Sequence, residues 1–401
     1  MLNLKKIYHV LLVLYPILSG YGFSVQADFG VISIFVVGLL CAVQKKEVFQ
    51  VKFFRGYVLF FLSALMLSLI FVHSIPLRLL LFTLNLIIAL HCVDVELLKK
   101  YYFRLVPICC VFFILQEVSF YLTGRRISGL TTLLPNIYGM DGYVQKLRVA
   151  PRSASFFLEP SYFAQFLFPY IAVMLFSNTK KGVKNALMVS LIMLMIRSGN
   201  GIILLGIIWM LWFVLSRMTI FNKIAMCVLV FITGALMFLV NSESALALFS
   251  RTSEITNVSN SFGGDGESSG FIRFFRGYYL FADMPLMNKL FGADDALVTS
   301  MMRKSIFLWN RDIFMNGIQT LLIYNGVFVC VLYVRHLLLL LKGALKKKEL
   351  FILVLGFIYL MFSESYYLCS RAFLTLLLIY GYIQDDLSSR AKLSIRLFKK
   401  G

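Results

Sequence analysis

Long apolar runs constrain the fold of this chain more than any other feature. A helix needs about 20 mostly apolar residues to cross the hydrocarbon of a bilayer. Runs of that kind stand at roughly 8–24, 28–43, 53–73, 76–93, 104–123, 157–177, 184–197, 200–216, 224–241, 312–341, 350–367 and 368–384. They predict an all-α integral membrane protein with about twelve transmembrane helices, built as a single polytopic domain over residues 1–401. The 312–341 run is too long for one untilted span, so its start is expected in the interface. Hydrophobic residues make up 60% of the chain and charged ones 14%. Soluble domains are about half apolar and about a quarter charged, so this excess excludes a water-soluble enzyme or a nucleic-acid binder.

The net charge of +20 then calls for a membrane explanation. Alternate short loops and the two termini, Lys5/Lys6 through to Lys399/Lys400, carry 24 of the 39 Lys and Arg residues. The short loops of the other parity carry only Arg78, Arg197 and Arg371. Cytoplasmic loops carry the basic excess, so both termini are expected in the cytoplasm. The remaining basic residues fall in two long outward loops. The first, 124–156, holds Arg125, Arg126, Lys146, Arg148 and Arg152. The second, 242–311, holds Arg251, Arg273, Arg276, Lys289, Arg303, Lys304 and Arg311. Such loops suit either a headgroup-facing surface or a cationic vestibule for an anionic substrate. In the second loop, Thr252–Gly270 is rich in Gly and Ser and reads as a mobile segment. Phe271–Gly292 places Arg273 and Arg276 three apart on one face and reads as an amphipathic helix on the outer leaflet.

The seven cysteines form no CxxC spacing and read as small buried apolar residues. The four histidines are scattered over different runs, so no metal site is expected. The first apolar run ends at Tyr21–Ser24 without a small-residue cleavage site and reads as a retained helix.

Four places could carry chemistry. In RVAPRSASFFLEPSYFAQF (Arg148–Phe166), Glu159 and Pro160 stand where the first long loop enters a helix. Glu159 there is either a cap for free backbone amides or a carboxylate able to act as a general base. Arg152 and Arg148 can fold back over the same helix mouth. Arg197 in RSGNG opposes the charge bias of its turn, so a partner is expected; headgroup snorkelling is the alternative. Glu364 and Arg371 bracket the last outward turn and read as a structural ion pair. Glu117 lies one turn inside the fifth helix, where an acid invites a functional reading.

These residues carry a resemblance. RxSxFFxEPSYFAxF across Arg152–Phe166 resembles the signature of bacterial O-antigen and capsule repeat-unit polymerases, the Wzy family. Arg197-Ser198-Gly199 is similar to that family's turn between two helices. Gly270–Arg273, ending in Asn288–Gly292, resembles the segment before the late helices. Asn316 with Gly326 ten residues later resembles a helix start shared with O-antigen ligases. The ligase-type histidine before that asparagine is Met315 here, which weighs against a ligase. The RX10G loop motif of some polymerases is not evident after Arg125, Arg126, Arg148 or Arg152.

The resemblance implies a membrane glycosyltransferase that needs no metal or other cofactor. It would move a growing glycan from undecaprenyl diphosphate onto a sugar hydroxyl of the next lipid-linked repeat unit. This would take place on the outer face of the bacterial cytoplasmic (inner) membrane, in lipopolysaccharide or capsule biosynthesis. Guanidinium groups would stabilise the leaving diphosphate and a carboxylate would take the hydroxyl proton. Glu159, Arg152 and Arg273 are the expected catalytic residues. Arg148, Arg197, Arg276, Arg251, Arg311 and Asn316 are the expected substrate-binding ones. The implied partners are undecaprenyl-diphosphate-linked oligosaccharides, a chain-length regulator protein and membrane lipid, with no nucleic acid. The competing readings are an O-antigen ligase-like enzyme and a lipid-linked oligosaccharide flippase; a flippase predicts two similar halves and charges in a central cavity.

Overall fold

The computed structural model describes residues 4–24, 27–44, 55–73, 76–131, 133–135, 137, 152–177, 179–216, 221, 277–304, 315–345 and 347–383. Among them the structure is all-α, with a single isolated bridge between Gly22 and Asp28. In chain order the helices are α1 (Leu4–Leu18), α2 (Phe29–Gln44), α3 (Arg55–Leu67, continued by a π turn Ser68–Val72), α4 (Leu77–Cys92) and α5 (Val95–Thr123). Then come α6 (Pro160–Phe176), α7 (Lys180–Met195), α8 (Gly199–Leu215), α9 (Gly277–Asp283), α10 (Leu286–Phe291) and α11 (Asp295–Lys304). Last are α12 (Gly317–Ala344), α13 (Lys348–Ser363) and α14 (Ser370–Ile383).

A helix stands on every apolar run of the sequence except 224–241, which lies outside the described residues. Two of them, α5 and α12, are long and apolar enough to cross a membrane. The ends are set by local chemistry. The Asp94 side chain accepts from the Leu97 amide to start α5, and Gly124 in the left-handed region ends it. Asn316 starts α12 with a reciprocal cap: its Oδ1 accepts from the Gln319 amide at 2.9 Å, and the Gln319 side chain accepts from the Asn316 amide at 3.1 Å. So the long 312–341 run begins its helix at Gly317, and it breaks at Gly326.

That break joins two of the sequence motifs. Gly326 has φ 76° and ψ 174°, and a Cβ there would stand 2.3 Å from the Leu290 carbonyl oxygen. Gly292, at φ 101°, presses equally close to the Tyr324 carbonyl, and the Ala293 amide bonds Ile323 O at 2.9 Å. The NKLFG segment thus docks into the open backbone of α12, and only glycine permits the approach. The Phe271–Gly292 stretch, expected as one amphipathic helix, is described from Gly277 onward as α9 and α10. Pro285, extended at ψ 147°, separates them. Arg273, Arg276 and the Gly/Ser-rich stretch lie outside the described residues.

Two helices form the centre. In α6 nearly every side chain from Phe163 to Phe176 is buried, and α14 is buried throughout from Ser370 to Tyr380. A helix apolar on all sides belongs inside a larger bundle. Pro169 cannot donate to the α6 ladder. In the next rung of the ladder the Tyr102 hydroxyl of α5 is inserted between partners: it donates to Phe166 O at 2.6 Å and accepts from the Tyr170 amide at 3.1 Å. The outer helices show the reverse pattern. Val36, Leu39 and Leu40 of α2, Ile108, Val111 and Leu115 of α5, and Val331, Leu338 and Leu339 of α12 are exposed.

At one end of the bundle, His9 ties α1 to the start of α5. Its Nδ1–H donates to Lys5 O, so its Nε2 accepts from the Asp94 amide at 2.7 Å. Lys5 pairs with Asp94 at 2.9 Å. The candidate site lies at the opposite end.

Candidate functional site: a cationic cavity at one end of the bundle

The end of α1, the starts of α2, α4, α6, α12 and α14, and the Glu364–Cys369 turn enclose a cavity of ≈ 330 Å3. Among the described residues, its charged lining residues are Arg78, Arg371 and Asp28. Tyr162, Tyr324, Tyr367, Ser19 and Ser370 add hydroxyls, and Met315 adds a thioether.

Arg371 is only 7% exposed. Its Nε donates to Gln165 Oε1 at 2.7 Å, and its guanidinium lies 3.5 Å over the Tyr162 ring. This one side chain therefore bolts α14 to α6. Arg78 at the start of α4 donates through Nε to Leu368 O at 3.1 Å. Among the described residues, the terminal nitrogens of both guanidiniums have no protein acceptor. The protein holds each arginine by its Nε and leaves its outer N–H groups to the cavity. Two such forks can grip an anion with several charge-assisted bonds.

Asp28 is 5% exposed and caps α2, Oδ1 accepting from the Val31 amide at 2.8 Å. Burial pushes its carboxyl up to about 6, against the opposing pull of the Val31 amide and of Arg78.

Glu159 stands at the N-cap position of α6 but caps no amide; its Oε2 accepts from Ser161 Oγ at 3.1 Å. It is half-buried, and its charge acts on Arg371. Glu159 does not line the cavity itself; its neighbour Leu158 does. Asn316 is buried as the α12 cap and is likewise outside the lining, whereas Met315 beside it faces the cavity.

Arg152 and Arg197 are brought together elsewhere. An Arg152 Nη donates to the Arg197 carbonyl at 3.2 Å, which joins the two motifs. Arg197 itself is exposed, at φ 55°. Next to them, Glu117 is engaged by Arg126 at 3.4 Å and by Ser153 Oγ. The Arg126 guanidinium also lies 3.7 Å over Phe120. Burial lowers the Arg126 pKa from its usual value, and Arg197 adds to this, while Glu117 opposes it. Glu117 thus anchors the loop before α6 onto α5. The expected Glu364–Arg371 ion pair does not form: Glu364 accepts from Asn200 Nδ2 at 2.6 Å, and Arg371 turns to Gln165. Arg148, Arg251, Arg273, Arg276 and Arg311 lie outside the described residues.

Phe157, Phe163 and Phe166 of the Arg152–Phe166 signature pack in the core, whereas Tyr162 faces the cavity. Phe157 packs on Phe163 and Phe166, with ring centroids 5.4 and 5.0 Å apart. Among the described residues, no group of three or more His, Cys, Asp or Glu could hold a metal ion.

Arg78, Asp28 and Arg371 are cavity residues to which the sequence reading gave no chemical role. A signal for the arginines was present: with Arg197, they are the only basic residues in short loops of the charge-poor parity. An arginine against that bias needs a partner, and here the partner is a shared cavity. Among the described residues, the non-glycine residues with positive φ, His73, Ser155, Arg197 and Leu368, lie in turns at this same end. Backbone strain gathers at functional sites.

No protein-family model matches the chain, and no curated protein matches it.

Proposed function

We propose that this chain is a polysaccharide polymerase of the Wzy type. In this reading it is a metal-independent membrane glycosyltransferase of about twelve spans with both termini in the cytoplasm. It transfers a growing O-antigen or capsular glycan from undecaprenyl diphosphate to a lipid-linked repeat unit, on the outer face of the bacterial cytoplasmic membrane.

The observation that carries the reading is the pair of guanidiniums, Arg78 and Arg371, with their terminal N–H groups free in one cavity. A diphosphate leaving group gathers charge as its bond to the sugar breaks, and preorganised donors act best where charge develops. The cavity also lies at the bundle end that the basic-residue distribution assigns to the outside. The exposed apolar side chains of α2, α5 and α12 suit contact with lipid tails better than water. Met315 in the cavity wall, where a ligase would carry histidine, favours a polymerase over a ligase. Arg152 and Arg197 form a second cationic patch, to which Arg273 and Arg276 of the long outer loop would contribute. Glu159 serves this reading by its charge beside Arg371.

The test is the surface glycan of a deletion strain. Loss of the chain should leave single repeat units on the final acceptor, because flippase and ligase still act. Long chains in the deletion strain, or glycan stranded wholly on the carrier lipid, would refute the reading.

A further inference from the structure

Among the described residues the cavity lining holds one carboxylate, Asp28, and it is not the one the sequence motif points to. We propose that Asp28 is the general base of the transfer: it takes the proton from the acceptor sugar hydroxyl. The proposal rests on the polymerase reading and deepens it.

The geometry favours Asp28 over Glu159. Asp28 lines the cavity together with Arg78 and Arg371, whereas Glu159 is outside the lining and acts on Arg371 through its charge. One Asp28 oxygen, Oδ1, is committed to the Val31 amide in the first turn of α2, at 2.8 Å. Among the described residues, Oδ2 has no protein donor. An oxygen without a donor, on a residue 5% exposed in a cationic cavity, has a lone pair to offer to a hydroxyl. The cap fixes the side chain, so the free oxygen is preorganised. A base works best with its pKa near the working pH, and burial places Asp28 close to that range at about 6.

The step balances. The acceptor O–H bond breaks, and its proton goes to Asp28 Oδ2. The freed electron pair of the hydroxyl oxygen forms the new bond to the anomeric carbon of the donor glycan. The bond from that carbon to the diphosphate oxygen breaks, and its electron pair leaves on undecaprenyl diphosphate, held by Arg78 and Arg371. The proton passes from Asp28 to water or to the departing diphosphate.

The charged and titratable groups around Asp28 are Tyr15 from α1, Arg78 from α4, and Cys369 and Arg371 at the start of α14. Tyr162, Tyr324 and Tyr367 also line the cavity. Among the described lining residues none of these is a carboxylate or an imidazole, so the acid limb in the rate near neutrality is assigned to Asp28, and Glu159 beside the lining is the rival that the experiment tests.

The experiment uses the purified full chain in lipid and a synthetic undecaprenyl-diphosphate-linked repeat unit, with polymer length read on gels from pH 4.5 to 8. Wild type should lose rate as the pH falls through about 6. Asp28→Asn keeps an oxygen for the α2 cap but cannot take a proton. It should cut the rate roughly 100-fold or more, with KM little changed, and its residual rate should lack the acid limb. Asp28→Ser, which also caps, should behave the same way. Glu159→Gln should keep the limb while weakening substrate binding. A wild-type rate with the limb intact in Asp28→Asn overturns the assignment of Asp28. Loss of the limb in Glu159→Gln alone transfers the role to Glu159 and overturns it equally. Failure of wild type to polymerise the substrate at any pH refutes the polymerase reading instead.

Discussion

Arg371 reaches from the first turn of α14 to Gln165 on α6, its Nε 2.7 Å from the amide oxygen. That single bond joins the two most buried helices of the bundle and aims the rest of the guanidinium into the cavity. Replacing Gln165 by Leu removes the acceptor and leaves a buried donor unmet, which should cost about 1–3 kcal/mol. Arg371→Lys keeps the charge but loses both the fork and the Nε bond. We expect Gln165→Leu to lower the midpoint of thermal unfolding in detergent. We expect Arg371→Lys to lower the affinity of the purified protein for inorganic pyrophosphate about tenfold, as loss of one charged hydrogen bond of about 1.5 kcal/mol would do. Unchanged pyrophosphate affinity in Arg371→Lys would show that the cavity is no anion site.

A sharper stability test lies in α12. Gly326→Ala places a Cβ 2.3 Å from Leu290 O on a residue at φ 76°. Strain and overpacking together should cost about 2–4 kcal/mol. Gly206→Ala in α8 meets nothing within 4 Å and should leave stability unchanged or raise it by up to ~1 kcal/mol. Thermal unfolding of the two variants side by side decides whether the NKLFG segment is seated on the break.

The Glu117–Arg126 pair should behave as an anchor. The Arg126 side chain is 3% exposed and that of Glu117 is 29% exposed. Glu117→Ala leaves a buried guanidinium without its carboxylate. A fully buried pair would lose about 3–5 kcal/mol, and water around Glu117 should reduce this to about 1–3 kcal/mol. Limited proteolysis at the loop before α6 should quicken in the variant. Protection equal to wild type would show that Ser153 and Gln116 hold the loop without the pair.

Asp28 predicts a pH dependence of stability with a definite sign. Its folded pKa, about 6, lies above the unfolded value near 3.8. The folded state therefore binds the proton more tightly. Stability is greatest below the unfolded value, falls as the pH rises from about 4 to 6, and stays reduced above. The displacement corresponds to up to ~3 kcal/mol. Asp28→Asn keeps the cap and removes the buried charge, so it should be more stable than wild type at pH 7 and equal to it near pH 4. A variant less stable than wild type at pH 7 would mean that Arg78 and Arg371 more than offset the burial of Asp28.

The twelve-span reading has a direct topological test. Alkaline phosphatase fusions at Gly142 and Gly264 should be active, and those at Gly182 and Gly343 inactive. Activity at Gly343, or its loss at Gly264, would contradict the placement of the second long loop.

The sequence by itself determined the all-α class and the position of the helices that stand on long apolar runs, because twenty apolar residues have few other solutions; the short helices α9 to α11 did not follow from such runs. Pro160 and Asn316 marked their helix starts, because capping acts within a few residues, whereas the start of α5 at Val95 lay outside the 104–123 run. The sequence offered Arg152 as a residue able to fold back over the Glu159 helix mouth, and the structure bonds Arg152 to the Arg197 carbonyl. Only the tertiary structure decided which charges share a space. Asp28, Arg78 and Arg371 come from the starts of three helices far apart in the chain, and no local spacing ties them together. Likewise, Glu364 stands seven residues before Arg371 and looked like its partner. Packing gave Glu364 to Asn200 and Arg371 to Gln165, because the turn between them carries Leu368 at φ 53° and sends the two side chains to different neighbours. Local chemistry sets where helices begin and end, whereas a site between helix ends depends on long-range packing that a linear pattern does not encode.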